Sequence, residues 1–417
     1  ILTFNYQWLG SLEEWAFRLL YEVTGHYNYT ILASMGILVI LLGLVVMAWA
    51  TRRLIRTMIG VVMPGESDNL SDLIFSNLQL SKGPKVVVIG GGTGLSVMLR
   101  GLKAKTYNLT AVVTVADDGG STGRIRQDLD IIAPGDLRNC LVALADKEGL
   151  MEKLFAHRFG GSGNLTGHSF GNLFIAALIE VLGDVEEAMD ATSKVLRVRG
   201  KVIPSSAEKL RLNAEMTDGR IVEGESQIPH AHGKIKRVFT TPEHPRAIQS
   251  AVDAIREADA IVLGPGSLYT SIMPNLCVPD IVQAVRTSKA PKIYICNVMT
   301  QPGETDDYTV SDHIRAINRQ AGGKVIDFVI ANNGDVDPAV LQRYVAHGSH
   351  PVMIDKKEVS QTGATLVLSD LINKENSATH DTKKLANVLF DLINALRTDL
   401  SPELLHYYLK RYTFNHR

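Results

Sequence analysis

Cysteine is scarce in this chain of 417 residues. Cys140, Cys277 and Cys296 lie in apolar runs, and no two share a CxxC spacing. That excludes a disulfide framework and a cysteine zinc site, and it reads as buried, reduced thiols in a cytosolic main domain. An excess of either charge is missing too: 43 Lys and Arg stand against 44 Asp and Glu, a net charge of -1. A broad nucleic-acid-binding surface requires a clear basic surplus, so nucleic acid is not an expected partner. HExxH and the EF-hand loop are absent, and no residue reads as an activated nucleophile.

What is present divides the chain. Residues 31–50, ILASMGILVILLGLVVMAWA, carry no charge and no proline. A spanning helix needs ~20 apolar residues. A core helix seldom stays apolar on every face, and a secretory signal ends in a small-residue cleavage site where TRRLIR stands here. The expected arrangement is a membrane-anchoring segment over residues 1–60, with a transmembrane helix at about 31–50. Arg52, Arg53 and Arg56 put the following domain in the cytoplasm, and Trp49 suits the interface. SLEEWAFRLLYEV reads as an amphipathic helix at the outer surface or as a connector in a helical hairpin. A chain that begins with Ile1 is expected to have lost an upstream piece. Residues 61–84 read as a linker, and 85–417 as the main domain.

From Lys85 onward, strands and helices alternate. KVVVIG is a continuous apolar run, as in a strand covered on both faces. Leu95, Met98, Leu99 and Leu102 then recur at helical spacing, and LTAVVTVA is the next strand. Such a βαβ opening predicts an α/β, Rossmann-like, doubly wound and mainly parallel sheet. RLNAEMTDGRIVEGESQI alternates around Asp218-Gly219, so a β-hairpin excursion is expected over Arg211–Gln227. Strand–helix alternation then resumes to the end.

The turn after the first strand, Gly90-Gly91-Gly92-Thr93-Gly94-Leu95, matches neither standard glycine fingerprint. GxGxxG would need glycine at Leu95, and a P-loop would need GK[ST]. Its physics remains: backbone can approach a ligand, and a helix start offers free N–H groups. The second strand ends in VADDGGSTGR, placing Asp117 and Asp118 at a carboxyl strand end. There they hold a ribose or base edge, ligate magnesium, or make a plain turn. Gly119 and Ser121-Thr122-Gly123 read as a second pliable loop, with Arg124 available to a phosphate.

In PGDLRN, which includes Asn139, Asp136 reads either as an N-cap or as a polar group aimed at substrate. LTGHSFGNL brings His168 and Asn172 to the head of an apolar helix. LGPGSLYTS offers Gly264, Gly266, Ser267 and Thr270 as a second phosphate-type turn, with Tyr269 stacking on a ring or packing. CNVMTQPGETDDYT puts Asn297, Thr300 and Glu304 at the same sheet edge. The recurrence of polar loops at one edge is more specific than any one loop.

Together, GGGTGLSVMLRGLK, VTVADDGGSTGR, PGDLRNCLVALAD, LTGHSFGNL, VRGKVIPSS, GPGSLYTSIMPNL and YICNVMTQPGETDDYT closely resemble the YvcK/CofD family. The resemblance is strong from Lys85 to about Ile330. It implies a Rossmann-like fold and one of two functions. One branch transfers a phospholactyl group from a guanosine diphosphate donor to a deazaflavin precursor with magnesium. The other, the gluconeogenesis factors, binds UDP-sugars such as UDP-N-acetylglucosamine and is tied to cell-wall precursor supply and cell shape.

The wording of the loops resembles the second branch. The resemblance implies a nucleotide held by Gly91, Gly92, Thr93, Gly94, Asp117, Asp118, Gly119, Asn139, His168, Asn172, Gly264, Gly266, Ser267, Tyr269, Thr270, Asn297 and Thr300. Asp136 is the candidate catalytic residue, and Tyr344 resembles a tyrosine near the sugar-nucleotide pocket. No metal site is expected, and magnesium enters only with the transferase reading. Expected partners are a UDP-sugar, an enzyme of amino-sugar synthesis, the membrane, and further copies of this chain.

Overall fold

The computed structural model describes residues 7–26, 29–62, 78–146, 149–373 and 377–398. It divides into two compact units, 1–77 and 78–417. In the first, Gln7–Thr24 and Tyr29–Val62 are helices. Within the second of these, Gly36–Leu54 is long and apolar enough to cross a membrane, with a mean hydropathy of 2.0 and none of it buried. The helix continues past Ala50 through Arg52 and Arg53. The Arg53 guanidinium lies 5.2 Å from the Trp49 ring. Most of the expected linker, 63–77, falls outside the described residues.

The second unit begins at Leu78, earlier than the expected Lys85, because the chain is already tied to the domain there. The Leu80 carbonyl accepts from Tyr107 N–H at 3.0 Å, and the Ser81 and Gly83 carbonyls accept from the Asn108 amide. Among the described residues its strands are β1 Val86–Gly90, β2 Leu109–Val113, β3 Lys201–Pro204, β4 Arg211–Met216, β5 Ile221–Glu223, β6 Ile235–Thr241, β7 Ala260–Leu263, β8 Lys292–Ile295, β9 Phe328–Asn332 and β10 Thr365–Ser369.

Seven of them form one sheet in the order β10-β9-β8-β7-β1-β2-β3. Every pairing in it is parallel. The continuous apolar runs VVVIG and AIVL are fully buried as β1 and β7, as strands covered by helices on both faces must be. The Gly92–Leu102 helix packs against the Gly135–Leu144 and Thr382–Arg397 helices, and the Gln249–Glu257 and Pro279–Thr287 helices pack together elsewhere.

From β1 the chain winds outward through β2 and β3. It then returns to β1's other edge as β7 and winds the opposite way. The order therefore reverses between β1 and β7. At such a point the crossovers leave on opposite sides, and a crevice opens above the carboxyl ends of the two strands.

The excursion is larger than the expected hairpin. β4 and β5 do turn at Asp218-Gly219, but β6 pairs with the other edge of β4, giving a three-stranded antiparallel sheet, β5-β4-β6. A 3-10 turn, Glu225–His230, joins β5 to β6. The thiols are free as expected, although Cys277 is only half-buried.

Candidate functional site

The crevice starts with the turn after β1. Gly91 is the N-cap of the Gly92–Leu102 helix, and Gly92 has φ +68°, a conformation that glycine adopts at little cost. A Cβ on Gly94 would lie 2.8 Å from the Pro265 carbonyl oxygen, so the helix start presses directly on the turn after β7. The two glycine turns that looked separate in sequence are thus one structure at the switch point. Asn275 fastens it from below, its side-chain amide donating to the Gly90 and Ser271 carbonyls at 3.1 and 3.0 Å.

A cleft of about 700 Å³ opens above this junction. Gly91, Gly92, Thr93 and Gly94 form one wall, and Gly266 and Ser267 the next. Asn297, Thr300 and Gln301 come from the loop after β8, and Tyr344 and His380 close the far side. Asn297 donates to Gln301 Oε1 at 3.2 Å, and Gln301 Nε2 donates to Ser267 Oγ at 2.6 Å, so one amide chain spans two strand ends. Thr300 holds the segment 349–350 in place through three hydrogen bonds.

His380 Nε2 is buried and has no hydrogen-bond partner among the described residues. Burial pushes this imidazole down to about 4, so it stays neutral. The volume falls in the range of small-molecule sites. Helix-start N–H groups, an unpartnered imidazole nitrogen and neutral amides suit an elongated, polar, anionic ligand.

A model of the family described as 2-phospho-L-lactate transferase CofD matches residues 86–372. The chain belongs to the CofD family. Within it, the gluconeogenesis factor of Bacillus subtilis is 50% identical over 311 residues, covering 74% of this chain and 98% of its own length. A Nostoc sp. relative is 51% identical over 357 residues, 85% of this chain and 78% of its own. A crystal structure of a UPF0052 family member from Bacillus halodurans aligns with a TM-score of 0.72 at 48% identity, covering 74% of this chain and 99% of that one.

Of the residues that this CofD family resemblance pointed to, Gly91, Gly92, Thr93, Gly94, Gly266, Ser267, Asn297, Thr300 and Tyr344 converge on the cleft. Gly264 lies in the turn itself, behind them. The others lie outside its lining; Asn139 Oδ1, for one, accepts from the Arg138 guanidinium. Tyr269 packs away from the cleft, its hydroxyl 2.7 Å from that of Tyr308, and burial pushes its phenol up. Tyr269 N–H and Thr270 Oγ donate to Glu304, each at 3.3 Å.

Asp118 is spent on the antiparallel insert: its carboxylate accepts the Glu225 and Ser226 N–H groups at 3.1 and 2.9 Å. Asp117 accepts the Gly119 N–H at 2.9 Å. The pliable loop expected at Ser121-Thr122-Gly123 is instead the first turn of a helix, Gly120–Leu129, with Ser121 and Thr122 buried. Arg124 donates to the Thr166 carbonyl at 2.9 Å and not to a cleft ligand. Ser121 Oγ, 3.2 Å from His168 Nδ1, also meets Ser169 N–H and the Asn172 amide, so these residues bind one another.

Asp136 is not an N-cap, because Pro134 occupies that position. Its carboxylate accepts the Gly92 N–H from behind the glycine turn, and a Cβ on Gly91 would collide with it. Burial, with the charge of Asp117 next, raises it to about 7. Glu225 is raised to about 8 by burial and then by the charges of Asp117, Asp118, Asp136 and Glu304. Glu304 is raised to about 7 by burial. An acidic flank therefore adjoins the cleft.

Pro229, Gln301, His347, Ser349 and His380 line the cleft without having been singled out beforehand. Pro229 belongs to the 3-10 turn and the rest to connecting segments, and only the chain's path over the sheet edge brings them together.

Proposed function

We propose that this chain is a ligand-sensing regulator that binds a UDP-sugar, UDP-N-acetylglucosamine foremost, in the cleft at the β1–β7 switch point. The diphosphate lies at Thr93, Gly94 and Ser267, and the remaining length runs toward Asn297, Tyr344 and His380. The supporting observation is the junction of Gly94 on Pro265, which sets a helix start at the mouth of a cleft lined largely with uncharged polar side chains, Glu304 being the carboxyl among them. The occupied state biases contact with an enzyme of amino-sugar synthesis, and so cell-wall precursor supply. The anchored chain presents this unit to the cytoplasm, consistent with Arg52 and Arg53 at the end of the apolar stretch. Titration calorimetry of the full chain in detergent against UDP- and GDP-sugars tests this. Binding of UDP-N-acetylglucosamine is expected, and no binding of any UDP-sugar overturns it.

Asp136 favours one second reading, a transferase. A carboxyl poised at about 7 beside a phosphate cradle can accept a proton at neutral pH. An acceptor hydroxyl would attack the donor's distal phosphorus while the phosphoanhydride bond breaks. Nucleoside monophosphate leaves, and the hydroxyl proton goes to Asp136. Magnesium, when bound, neutralises phosphate charge.

Among the described residues no three His, Cys, Asp or Glu side chains converge on one point. Asp117 and Asp136, near enough for the charge of one to raise the other, are the carboxylates that would hold such an ion together with ligand phosphates. Turnover with a nucleoside diphosphate donor, abolished in Asp136→Asn with binding retained, would favour this reading over the regulator.

A further inference from the structure

A second recess lies on the other side of Thr93. Its volume is about 180 Å³, and it is lined by Thr93, Ser96, Arg100, Arg138, Asn139 and Arg158, with Val142 and Ala156 completing it. The spacing explains why these residues meet. Positions 93, 96 and 100 share one face of the Gly92–Leu102 helix, and positions 138, 139 and 142 share the facing side of the Gly135–Leu144 helix. Arg158 follows the end of the Gly149–Ala156 helix.

Three guanidinium groups gathered in one recess repel one another, and desolvation adds to that cost. Arg138 is 8% exposed. Its hydrogen-bond partners are neutral: Ser169 Oγ at 2.7 Å and Asn139 Oδ1. Arg158 donates to the Gly167 carbonyl at 3.1 Å. Among the described residues no carboxylate lines the recess or forms an ion pair with any of the three arginines. Guanidinium carries five donors in a planar fork suited to oxyanions, and most of those here are unspent. Burial and then the neighbouring Arg158 push Arg138 down, and the charges of Asp136 and Asp117, which act on it from outside the recess, offset this only in part.

We propose that this recess is a second anion site, taking the phosphate group of a small phosphorylated metabolite beside the nucleotide cleft. The site stands apart from the UDP-sugar reading, because none of its arginines lines the cleft. Thr93 is the residue the two share, so an occupant of the recess lies next to the phosphate cradle and would report a second metabolite to the same helix start.

The probe is inorganic phosphate, titrated calorimetrically into the full chain in detergent, with and without saturating UDP-N-acetylglucosamine. One phosphate per chain is expected, bound also when the cleft is occupied. Arg100→Ala/Arg158→Ala, which alters exposed side chains outside the cleft, should weaken phosphate roughly tenfold or more, as expected for losing charge-assisted contacts. It should leave UDP-sugar affinity within about threefold. Arg138→Gln should do the same if it folds, but the exposed pair alone decides. Absence of phosphate binding, undiminished binding in the double variant, or displacement of phosphate by the UDP-sugar would each overturn the proposal.

Discussion

The turn after β1 and the turn after β2 look alike on paper. Each is a glycine cluster at a carboxyl strand end leading into a helix, and the second even adds two aspartates. In the fold they have opposite fates. After β1, Thr93 and Gly94 line the cleft. After β2, the polar groups are consumed: Asp117 and Asp118 accept backbone N–H groups, and Ser121 serves His168, Ser169 and Asn172. The difference comes from topology. The first turn sits where strand order reverses and the crevice opens, whereas β2 lies one strand inside it, under the antiparallel insert. A polar glycine turn binds a ligand only where the fold leaves its donors unspent.

The largest effect should come from the β1 turn. Gly94→Val drives side-chain atoms into the Pro265 backbone, which cannot yield as a side chain can. Nucleotide binding should be lost, with a stability loss of about 1–3 kcal/mol, read by calorimetry and thermal unfolding. Retained affinity would break the contrast at its stronger side.

Asp118→Ala should come next, and it should act on stability. It removes the acceptor of two insert N–H groups, costing about 1–3 kcal/mol, with faster hydrogen exchange confined to residues near 225–230. A loss of nucleotide affinity without any destabilisation would instead make Asp118 a ligand contact.

Acidity should separate the regions further. Asp136, Glu225 and Glu304 have folded values of about 7, 8 and 7, above their unfolded ones. The folded state therefore holds protons that the unfolded state has released. These groups cost nothing below about pH 4, and their penalty grows as pH rises to about 8. Melting temperature should fall between pH 6 and 8.5, and Glu225→Gln should flatten that slope. An anionic ligand beside the same carboxyls should bind with proton uptake, so affinity should also fall over that interval.

The smallest effect belongs to Tyr269→Phe. Loss of the Tyr308 hydrogen bond should cost about 0.5–1.5 kcal/mol by chemical denaturation and leave nucleotide affinity unchanged.

Much of this was legible from residue patterns. The continuous apolar run of β1, the periodicity of the helix after it and the strand that follows lead to the parallel sheet, because burial on both faces leaves that signature. The β1 and β7 turns were legible because glycine marks close approach of backbones. Asp118 and Tyr269 stay open in the sequence for one reason: residue type says what a side chain can donate or accept, not whether a neighbour has already taken it. The Ser121 helix was missed because its glycine-rich first turn resembles a loop, and Gly123 is needed there for packing against Asp118. β6 escaped notice because a strand paired across the insert carries no local sign of its partner. His380 is invisible for the same reason, since the path of the chain after β10 carries it to the cleft.

Hydrogen–deuterium exchange of the full chain in detergent, with and without UDP-N-acetylglucosamine, tests the central claim most directly. The account predicts slowed exchange at residues 92–95, 266–272 and 297–301, with residues 117–123 and 168–172 unchanged. Protection confined to 117–123 and 168–172, with the β1 and β7 turns unaffected, would contradict it.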